Sequence, residues 1–245
     1  MEKLIIVANW KCNPTTLLKA KLLFNSIKRG VRSFKKIEIV ICPPFVYLMA
    51  GDKRQATRIK FGGQDCFWEE EGAFTGEISP LQLKNLGCRY VIIGHSERRK
   101  YFSETNKEIG QKIKAALLAK LKPILCIGET RQERRKGKVE RVLRDQLKKA
   151  LTDLSAHQLK NLIIAYEPIW AIGKGRACSF EDAKWARYLI KKSLKKKISI
   201  LYGGSVNSKN AKNFIKEAGF QGLLVGGASL KPKEFIKIVK IVAES

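Results

Sequence analysis

Short apolar runs alternate with helical patterns along the whole chain, and this alternation is the strongest constraint on its fold. Near-continuous apolar runs are typical of parallel strands that are buried on both faces. Eight strands are predicted, at Leu4–Asn9, Ile37–Cys42, Ile59–Gln64, Tyr90–Gly94, Pro123–Ile127, Leu162–Glu167, Ile198–Tyr202 and Gly222–Gly226. Helical patterns separate them at Thr15–Lys28, Pro80–Leu86, Asn106–Lys120, Val139–Leu154, Glu181–Leu194, Ser208–Glu217 and Lys233–Val242, with a weaker pattern near Phe45–Lys53.

The spacing of this alternation predicts one domain and a closed sheet. Each strand-plus-helix unit takes about 31 of the 245 residues, which is the size of a βα repeat with a parallel crossover. No linker interrupts the pattern, so residues 1–245 are predicted to form a single catalytic domain. Eight parallel strands ringed by helices close into a (β/α)8 barrel. An open doubly wound sheet is the alternative, although no G-x-G-x-x-G motif follows the first strand.

The composition favours a cytoplasmic enzyme over a membrane or disulfide-rich protein. Hydrophobic residues make up 44% of the chain, which is enough for a large core. No run reaches the roughly 18 apolar residues of a membrane span, and the chain enters a strand pattern without a signal-peptide-like segment. The six cysteines are scattered without a C-x-x-C pair. Small thiols in or beside apolar strands are typical of a reducing compartment.

The net charge of +27 is the one feature that invites a nucleic-acid interpretation,. The basic residues, however, are spread over helical segments such as Lys191–Lys197 and Arg131–Lys138. They are not gathered with aromatic residues into one stacking surface. We therefore expect a solvated basic surface that attracts small anions, and we do not expect nucleic acid as a partner.

A carboxylate at the tip of the sixth strand is the strongest candidate for catalysis. In a (β/α) barrel the reactive groups gather at the carboxyl ends of the strands, and Glu167 follows such a strand directly,. Proline fixes one backbone dihedral and glycine frees several, so Pro168, Gly173 and Gly175 predict a loop that moves between two defined positions. The alternative is a solvated glutamate followed by a turn.

The ends of the first and fourth strands add a cation and an imidazole. Lys11 lies just past the first strand, where its charge can stabilise a developing oxyanion,. His95 follows the fourth strand, with Ser96 as a possible helix N-cap, and the positive end of a helix dipole favours a neutral imidazole. His157, between two helical elements, is expected at the surface.

Paired glycines follow the seventh and eighth strands, at Gly203-Gly204-Ser205 and Gly226-Gly227. Glycines that expose backbone N–H groups before a helix form an anion site, and barrels often hold phosphate in these two loops. Tight turns are the alternative interpretation. A metal site is not expected, because no cluster of histidines or cysteines has the spacing of metal ligands.

Six motifs along essentially the whole chain resemble the triosephosphate isomerase family. They are Ala8-Asn-Trp-Lys11, Gly72-Ala-Phe-Thr-Gly-Glu-Ile78, Ile93-Gly-His-Ser-Glu-Arg-Arg99, Tyr166-Glu-Pro-Ile-Trp-Ala-Ile-Gly173, Tyr202-Gly-Gly-Ser205 and Val225-Gly-Gly-Ala-Ser-Leu230. The resemblance implies a TIM barrel. It also implies a cofactor-free interconversion of dihydroxyacetone phosphate and D-glyceraldehyde 3-phosphate through an enediolate, in glycolysis and gluconeogenesis.

The resemblance also implies a role for each candidate residue. Glu167 would move the proton between the two carbons, and neutral His95 would donate to the carbonyl oxygen and shuttle protons. Lys11 would stabilise the enediolate, Asn9 would line the same pocket, and Glu97 would position His95 or Lys11. The phosphate would be held by Gly173, Ser205, Gly226 and Gly227. The segment Pro168–Cys178 would close over the substrate, and the resembled family is itself a standard example of such a loop.

The same resemblance implies a homodimer, in which the Gln64–Ile78 loop enters the partner subunit and Thr75 reaches its Lys11 and Glu97 region. The chain departs from the family pattern at Lys174–Cys178, at one end of the closing segment, and at Asp65, where the family commonly carries asparagine. Another phosphate-binding barrel enzyme, such as an epimerase, remains the alternative function from the same fold.

Overall fold

A computed structural model describes residues 3–49, 59–152, 154–172, 177–194 and 198–245. Eight parallel strands close into a barrel in sequence order, and β1 pairs with both β2 and β8. The strands are β1 Leu4–Asn9, β2 Ile37–Cys42, β3 Ile59–Gly63, β4 Cys88–Ile93, β5 Lys122–Ile127, β6 Ile163–Tyr166, β7 Ser199–Tyr202 and β8 Gly222–Val225. The predicted (β/α)8 barrel is therefore confirmed, and the open sheet is wrong.

Ten α-helices surround the barrel in the described part of the chain. They are α1 Leu17–Gly30, α2 Pro80–Asn85, α3 Ser96–Tyr101, α4 Asn106–Leu118, α5 Arg131–Arg135, α6 Val139–Ala150, α7 Ala156–Leu159, α8 Phe180–Leu194, α9 Ala211–Lys216 and α10 Pro232–Ala243. Three of these, α3, α5 and α7, are absent from the predicted helical patterns, although Ser96 as a possible N-cap indicated that a helix starts where α3 does. The helices α5 and α7 have only five and four residues, which is too short to show an apolar period,. The weak pattern near Phe45–Lys53 is a 3-10 turn at Phe45–Tyr47, and residues 50–53 lie outside the described residues.

The strands are buried on both faces, which explains their continuous apolar pattern. Alternate residues such as Val7, Val40 and Ile124 form a buried cluster inside the barrel. The intervening residues, such as Ile6 and Ile41, pack in a larger cluster against the helices, because successive side chains of a strand point to opposite faces. Five of the six cysteines are buried free thiols, and Cys12 is exposed.

The hydrogen-bond ladder continues past the ends of the strands and fixes the carboxyl rim of the barrel. The Glu167 amide donates to the Ile127 carbonyl at 2.7 Å, and the Gly203 amide donates to the Tyr166 carbonyl at 2.8 Å. A Cβ atom at Gly128 would lie 1.8 Å from the Glu167 carbonyl oxygen, so this close approach requires glycine,. The rim therefore holds the backbone of Glu167 firmly between its neighbours.

In the described residues, no helix is long and apolar enough to cross a membrane.

Candidate active site

A cavity of about 450 Å³ opens at the carboxyl rim of the barrel. Its wall is formed by Asn9, Lys11, His95, Glu167, Ile172, Gly203, Gly204, Ser205, Val206, Asn207, Leu224, Gly226, Gly227, Ala228, Lys231 and Glu234. Seven of the residues predicted from the sequence are thus brought together, although they come from distant parts of the chain. Glu97 lies beside this wall rather than in it, and Gly173 falls outside the described residues.

Lys11 is held in place at both its backbone and its ammonium group. Its backbone is left-handed, with φ of 53°, and its amide donates to Asn9 Oδ1 at 3.0 Å. The Gln64 amide group donates to the Lys11 carbonyl at 2.8 Å, and Lys11 Nζ lies 2.5 Å from Glu97 Oε1. A left-handed backbone is unusual for lysine and is retained only where surrounding contacts determine it. The ammonium group is therefore presented to the cavity in a fixed position.

His95 is itself the N-cap of α3, and the prediction of Ser96 as the cap is wrong. His95 Nδ1 accepts a hydrogen bond from the Glu97 amide at 3.2 Å. A nitrogen that accepts has no proton, so the imidazole is neutral and its N–H is on Nε2. This capping contact is a local feature that favours the neutral ring expected from the helix dipole.

Glu167 lies in a part of the cavity wall that is shielded from solvent, and only 2% of its surface is exposed. Its Oε2 atom accepts from the Ser96 amide at 3.1 Å, and its Oε1 atom lies 3.3 Å from His95 Nε2. Cys126 contacts the same carboxylate from the barrel interior. Burial raises the pKa of the Cys126 thiol and the neighbouring Glu167 charge raises it further, so the thiol stays protonated and donates to Glu167.

Another part of the cavity wall is built from glycines and polar groups, and a Cβ atom at Gly226 would lie 3.3 Å from Lys11 Cε. A Cβ atom at Gly227 would have no other atom within 4 Å, so the backbone there borders open space. Ser205 Oγ donates to the Ala171 carbonyl at 2.7 Å, which ties the loop after β7 to the segment after β6. Exposed backbone at a strand end is suited to binding an anion, and Lys231 adds a positive charge to the same wall.

Several functional residues were missed by the sequence analysis. Gln64 and Cys126 act through contacts between strands, for which the sequence gives no local signal. Glu129, in contrast, follows β5 directly, and inspecting the end of the fifth strand would have found it. Glu129 is fully buried and accepts hydrogen bonds from Tyr166 Oη at 3.1 Å and from Trp170 Nε1 at 2.8 Å.

This arrangement combines a buried carboxylate, a neutral imidazole donor, an ammonium group and an anion cradle. Together they are suited to moving a proton next to the carbonyl group of a small anionic substrate. No group of three or more histidine, cysteine, aspartate or glutamate side chains in the described part of the chain is arranged to hold a metal ion.

Comparison with known proteins gives consistent matches along the whole chain. Residues 4–242 match the family model described as triosephosphate isomerase. The triosephosphate isomerase of Dictyoglomus turgidum is 47% identical over 98% of this chain and 100% of its own length. That of Aquifex aeolicus is 46% identical over 96% of this chain and 98% of its own length. A crystal structure of triosephosphate isomerase from Bartonella henselae matches with a TM-score of 0.87 and 35% identity, and the match covers 98% of this chain and 99% of that chain.

Proposed function

The chain belongs to the triosephosphate isomerase family, and on that premise we propose that Glu167, His95 and Lys11 carry out the family's reaction here. The reaction interconverts dihydroxyacetone phosphate and D-glyceraldehyde 3-phosphate, which is an intramolecular aldose–ketose oxidoreduction. One observation carries the assignment of roles. The carboxylate oxygen of buried Glu167 lies 3.3 Å from His95 Nε2, in a cavity whose wall includes the glycines after β7 and β8.

Glu167 acts as the base. It removes the proton from the carbon beside the carbonyl group. The C–H electron pair forms a C=C bond and the carbonyl π pair moves onto its oxygen, which gives an enediolate. The same carboxyl group returns the proton to the neighbouring carbon, so the base is regenerated. Because Glu167 is nearly excluded from water, its carboxylate is poorly solvated and the proton is not readily exchanged with solvent.

His95 and Lys11 stabilise the oxygen atoms of the enediolate. The Nε2–H group of neutral His95 donates to the carbonyl oxygen and shuttles protons between the two oxygens. The Lys11 ammonium group places a full positive charge beside the same oxygens. Glu97 is a positioning residue, because its carboxylate holds Lys11 Nζ at 2.5 Å and its amide fixes the imidazole at 3.2 Å.

The glycine-rich loops after β7 and β8 bind the phosphate group. Backbone groups of Gly226 and Gly227 and the loop at Ser205 surround the dianion, and Gly173, which lies outside the described residues, completes the set. The segment Pro168–Cys178 closes over the substrate and excludes water, which prevents loss of phosphate from the enediolate. We expect the different sequence at Lys174–Cys178, of which residues 174–176 lie outside the described residues, to affect the rate of this closure more than the chemistry.

We further propose that the protein is a cytoplasmic homodimer that serves glycolysis and gluconeogenesis and does not bind nucleic acid. Exposed apolar side chains on the loops after β2, β3 and β4 support the dimer: Val46, Met49, Phe74, Tyr101 and Phe102 are each at least 42% exposed. Exposed apolar residues on consecutive segments of the rim are typical of a surface that is covered by a partner subunit. Thr75, at the exposed tip of the Gln64–Ile78 loop, reaches Lys11 and Glu97 of the partner.

The test is isomerisation of D-glyceraldehyde 3-phosphate by the purified protein in a coupled assay, with 2-phosphoglycolate as inhibitor. Rapid turnover that is blocked competitively by this enediolate mimic is the expected result. A folded protein that has no isomerase activity but epimerises a phosphorylated sugar would contradict the assignment and favour the alternative barrel enzyme.

A further inference from the structure

One guanidinium group contacts both ends of the segment that connects Glu167 with α8. Arg134, on α5, stacks on the Trp170 ring with its Cζ atom 4.9 Å from the ring centroid. Trp170 lies three residues after Glu167. The other arm of the guanidinium, Nη2, pairs with Asp182 in the first turn of α8, where the connection from β6 ends.

The same guanidinium group neutralises a buried charge that holds the backbone around the base. Arg134 Nη1 lies 3.3 Å from Glu129 Oε1, and the Glu129 side chain has no exposed surface. Residues on both sides of Glu167 donate to this carboxylate, namely Tyr166 from Oη and Trp170 from Nε1. A fully buried carboxylate is strongly destabilised without a positive partner.

The backbone adds two further fixed points to this network. The Ile169 amide donates to the Glu129 carbonyl at 3.2 Å, and the close approach at Gly128 places the Glu129 segment directly against Glu167. Burial and the Glu129 charge also raise the pKa of Tyr166, so its phenol remains a donor. The position of Glu167 thus depends on Glu129, and Glu129 depends on Arg134.

We propose that Arg134 is a positioning residue for the base Glu167, acting through the Glu129 carboxylate and the Trp170 ring, with Asp182 fixing the direction of the guanidinium plane. This inference rests on the proposed function, in which Glu167 transfers the proton. Arginine is suited to the task because its planar fork contacts two carboxylates and one ring face at once, which the single ammonium of lysine cannot do.

A small displacement of the base slows proton transfer more than it weakens substrate binding. An error of about 1 Å in the position of a catalytic group lowers the rate by about 10²-fold. A merely structural ion pair between α5 and α8 would instead lower the unfolding temperature and leave the chemical step unchanged. The positioning role therefore predicts a lower kcat and a rate limited by proton transfer, whereas the structural role predicts no change in either.

The experiment compares Arg134→Ala and Arg134→Lys with Arg135→Ala, a control at an exposed arginine of the same helix. For each protein kcat, KM and the primary deuterium isotope effect on kcat are measured with glyceraldehyde 3-phosphate deuterated at C2. Arg134→Ala is expected to lower kcat by about 10- to 100-fold, to raise the isotope effect, and to leave KM within about twofold. Arg134→Lys should lie between this variant and the parent, and Arg135→Ala should match the parent.

The opposing results are distinct. An active parent whose kcat and isotope effect are unchanged by Arg134→Ala overturns the role of Arg134 and leaves the proposed function intact. If Arg134→Ala does not fold, a folded Arg134→Lys variant with the kcat and isotope effect of the parent overturns the role of Arg134 equally. A parent protein without isomerase activity overturns the proposed function and this inference together.

Discussion

His95 Nε2 lies 3.3 Å from Glu167 Oε1, although the two residues follow strands that are separated by β5. The other oxygen of the carboxylate accepts from the Ser96 amide at 3.1 Å. Both oxygens of Glu167 are therefore oriented by the single turn of chain that also carries the imidazole. Such an arrangement depends on the length of the glutamate side chain, because the Ser96 amide and the imidazole belong to a rigid turn and cannot follow the carboxylate.

Glu167→Asp tests this dependence. The shorter side chain keeps the charge but withdraws the carboxylate from the substrate carbon, from His95 and from the Ser96 amide. We expect kcat to fall by about 10²-fold or more, with KM changed only a few-fold. Steady-state kinetics in both directions provide the measurement, and Glu181→Asp, at an exposed position in α8, is the control. Similar kcat values for Glu167→Asp and the parent would remove Glu167 from the role of base.

Lys11→Ala tests the electrostatic role of the ammonium group. The variant leaves Glu97 without its partner, but the Glu97 side chain is 41% exposed and can be hydrated, so the loss of stability should be small. Activity should become undetectable, because the positive charge beside the developing oxyanion is lost. Turnover and thermal unfolding are measured together, with Lys35→Ala at an exposed position as the control. An active Lys11→Ala variant would refute the assignment.

The fold was predictable because barrel strands carry a local signal. Most residues of the eight strands are buried and apolar, and all eight predicted strands match the structure within two residues at either end. The shortest helices gave no such signal. The start of α9 was also placed too early, since Asn207 Oδ1 accepts from the Lys209 and Asn210 amides at 2.9 and 3.1 Å and forms a turn there instead.

The site was predictable only where a functional residue lies within a few residues of the carboxyl end of a strand. Lys11, His95 and Glu167 satisfy that condition, and the barrel brings them together. Arg134 does not, because its contacts with Trp170 and Asp182 join segments far apart in sequence. Whether His95 or Ser96 is the N-cap depends on the backbone dihedrals of the two residues. The sequence alone does not determine those dihedrals.

A buried charge cluster beside the predicted dimer loop gives a pH-dependent prediction. Asp65 Oδ2 lies 2.7 Å from both Arg98 Nε and Lys112 Nζ, and Glu104 also pairs with Lys112. One oxygen of each acid has no hydrogen-bond partner among the described residues. Burial raises the pKa of Asp65 to about 6, and the Glu104 charge adds to this, while Lys112 and Arg98 offset only part of it.

The sign of the effect follows from the raised pKa. Below pH about 4 Asp65 is protonated in both states, whereas between pH 4 and 6 the unfolded chain ionises first and the folded state loses stability. We therefore expect Asp65→Asn, which restores the residue common in the family, to flatten the stability curve between these pH values. At pH 7 it should stabilise the fold by about 1 to 3 kcal/mol. Urea unfolding from pH 4 to 8 gives the free energy of unfolding of the parent and of Asp65→Asn. A difference between the two proteins that is the same at every pH would contradict the prediction.

Thr75→Arg tests the proposed dimer. Thr75 is exposed in the subunit, so a bulky charge there should not disturb folding but should prevent the loop from entering a partner. We expect a monomer at micromolar concentration in size-exclusion chromatography coupled to light scattering, with lower specific activity that recovers as protein concentration rises. Thr152→Arg, at another exposed threonine, should remain dimeric. A Thr75→Arg variant that is fully active and dimeric would argue against this interface.

Gly227→Ala separates phosphate binding from folding. Apart from its immediate neighbours along the chain, no atom lies within 4 Å of the position that a Cβ atom would take, so the added methyl group clashes with no other part of the protein and enters the space assigned to the phosphate. KM for glyceraldehyde 3-phosphate and the Ki for 2-phosphoglycolate should both rise by about 10-fold or more, because a well-fitted anion contact contributes about 1.5 to 3 kcal/mol. The unfolding temperature should not change. Leu224→Ala in the same cavity wall removes apolar packing instead, so it should lower the unfolding temperature. Unchanged KM and Ki in Gly227→Ala would place the phosphate elsewhere in the cavity.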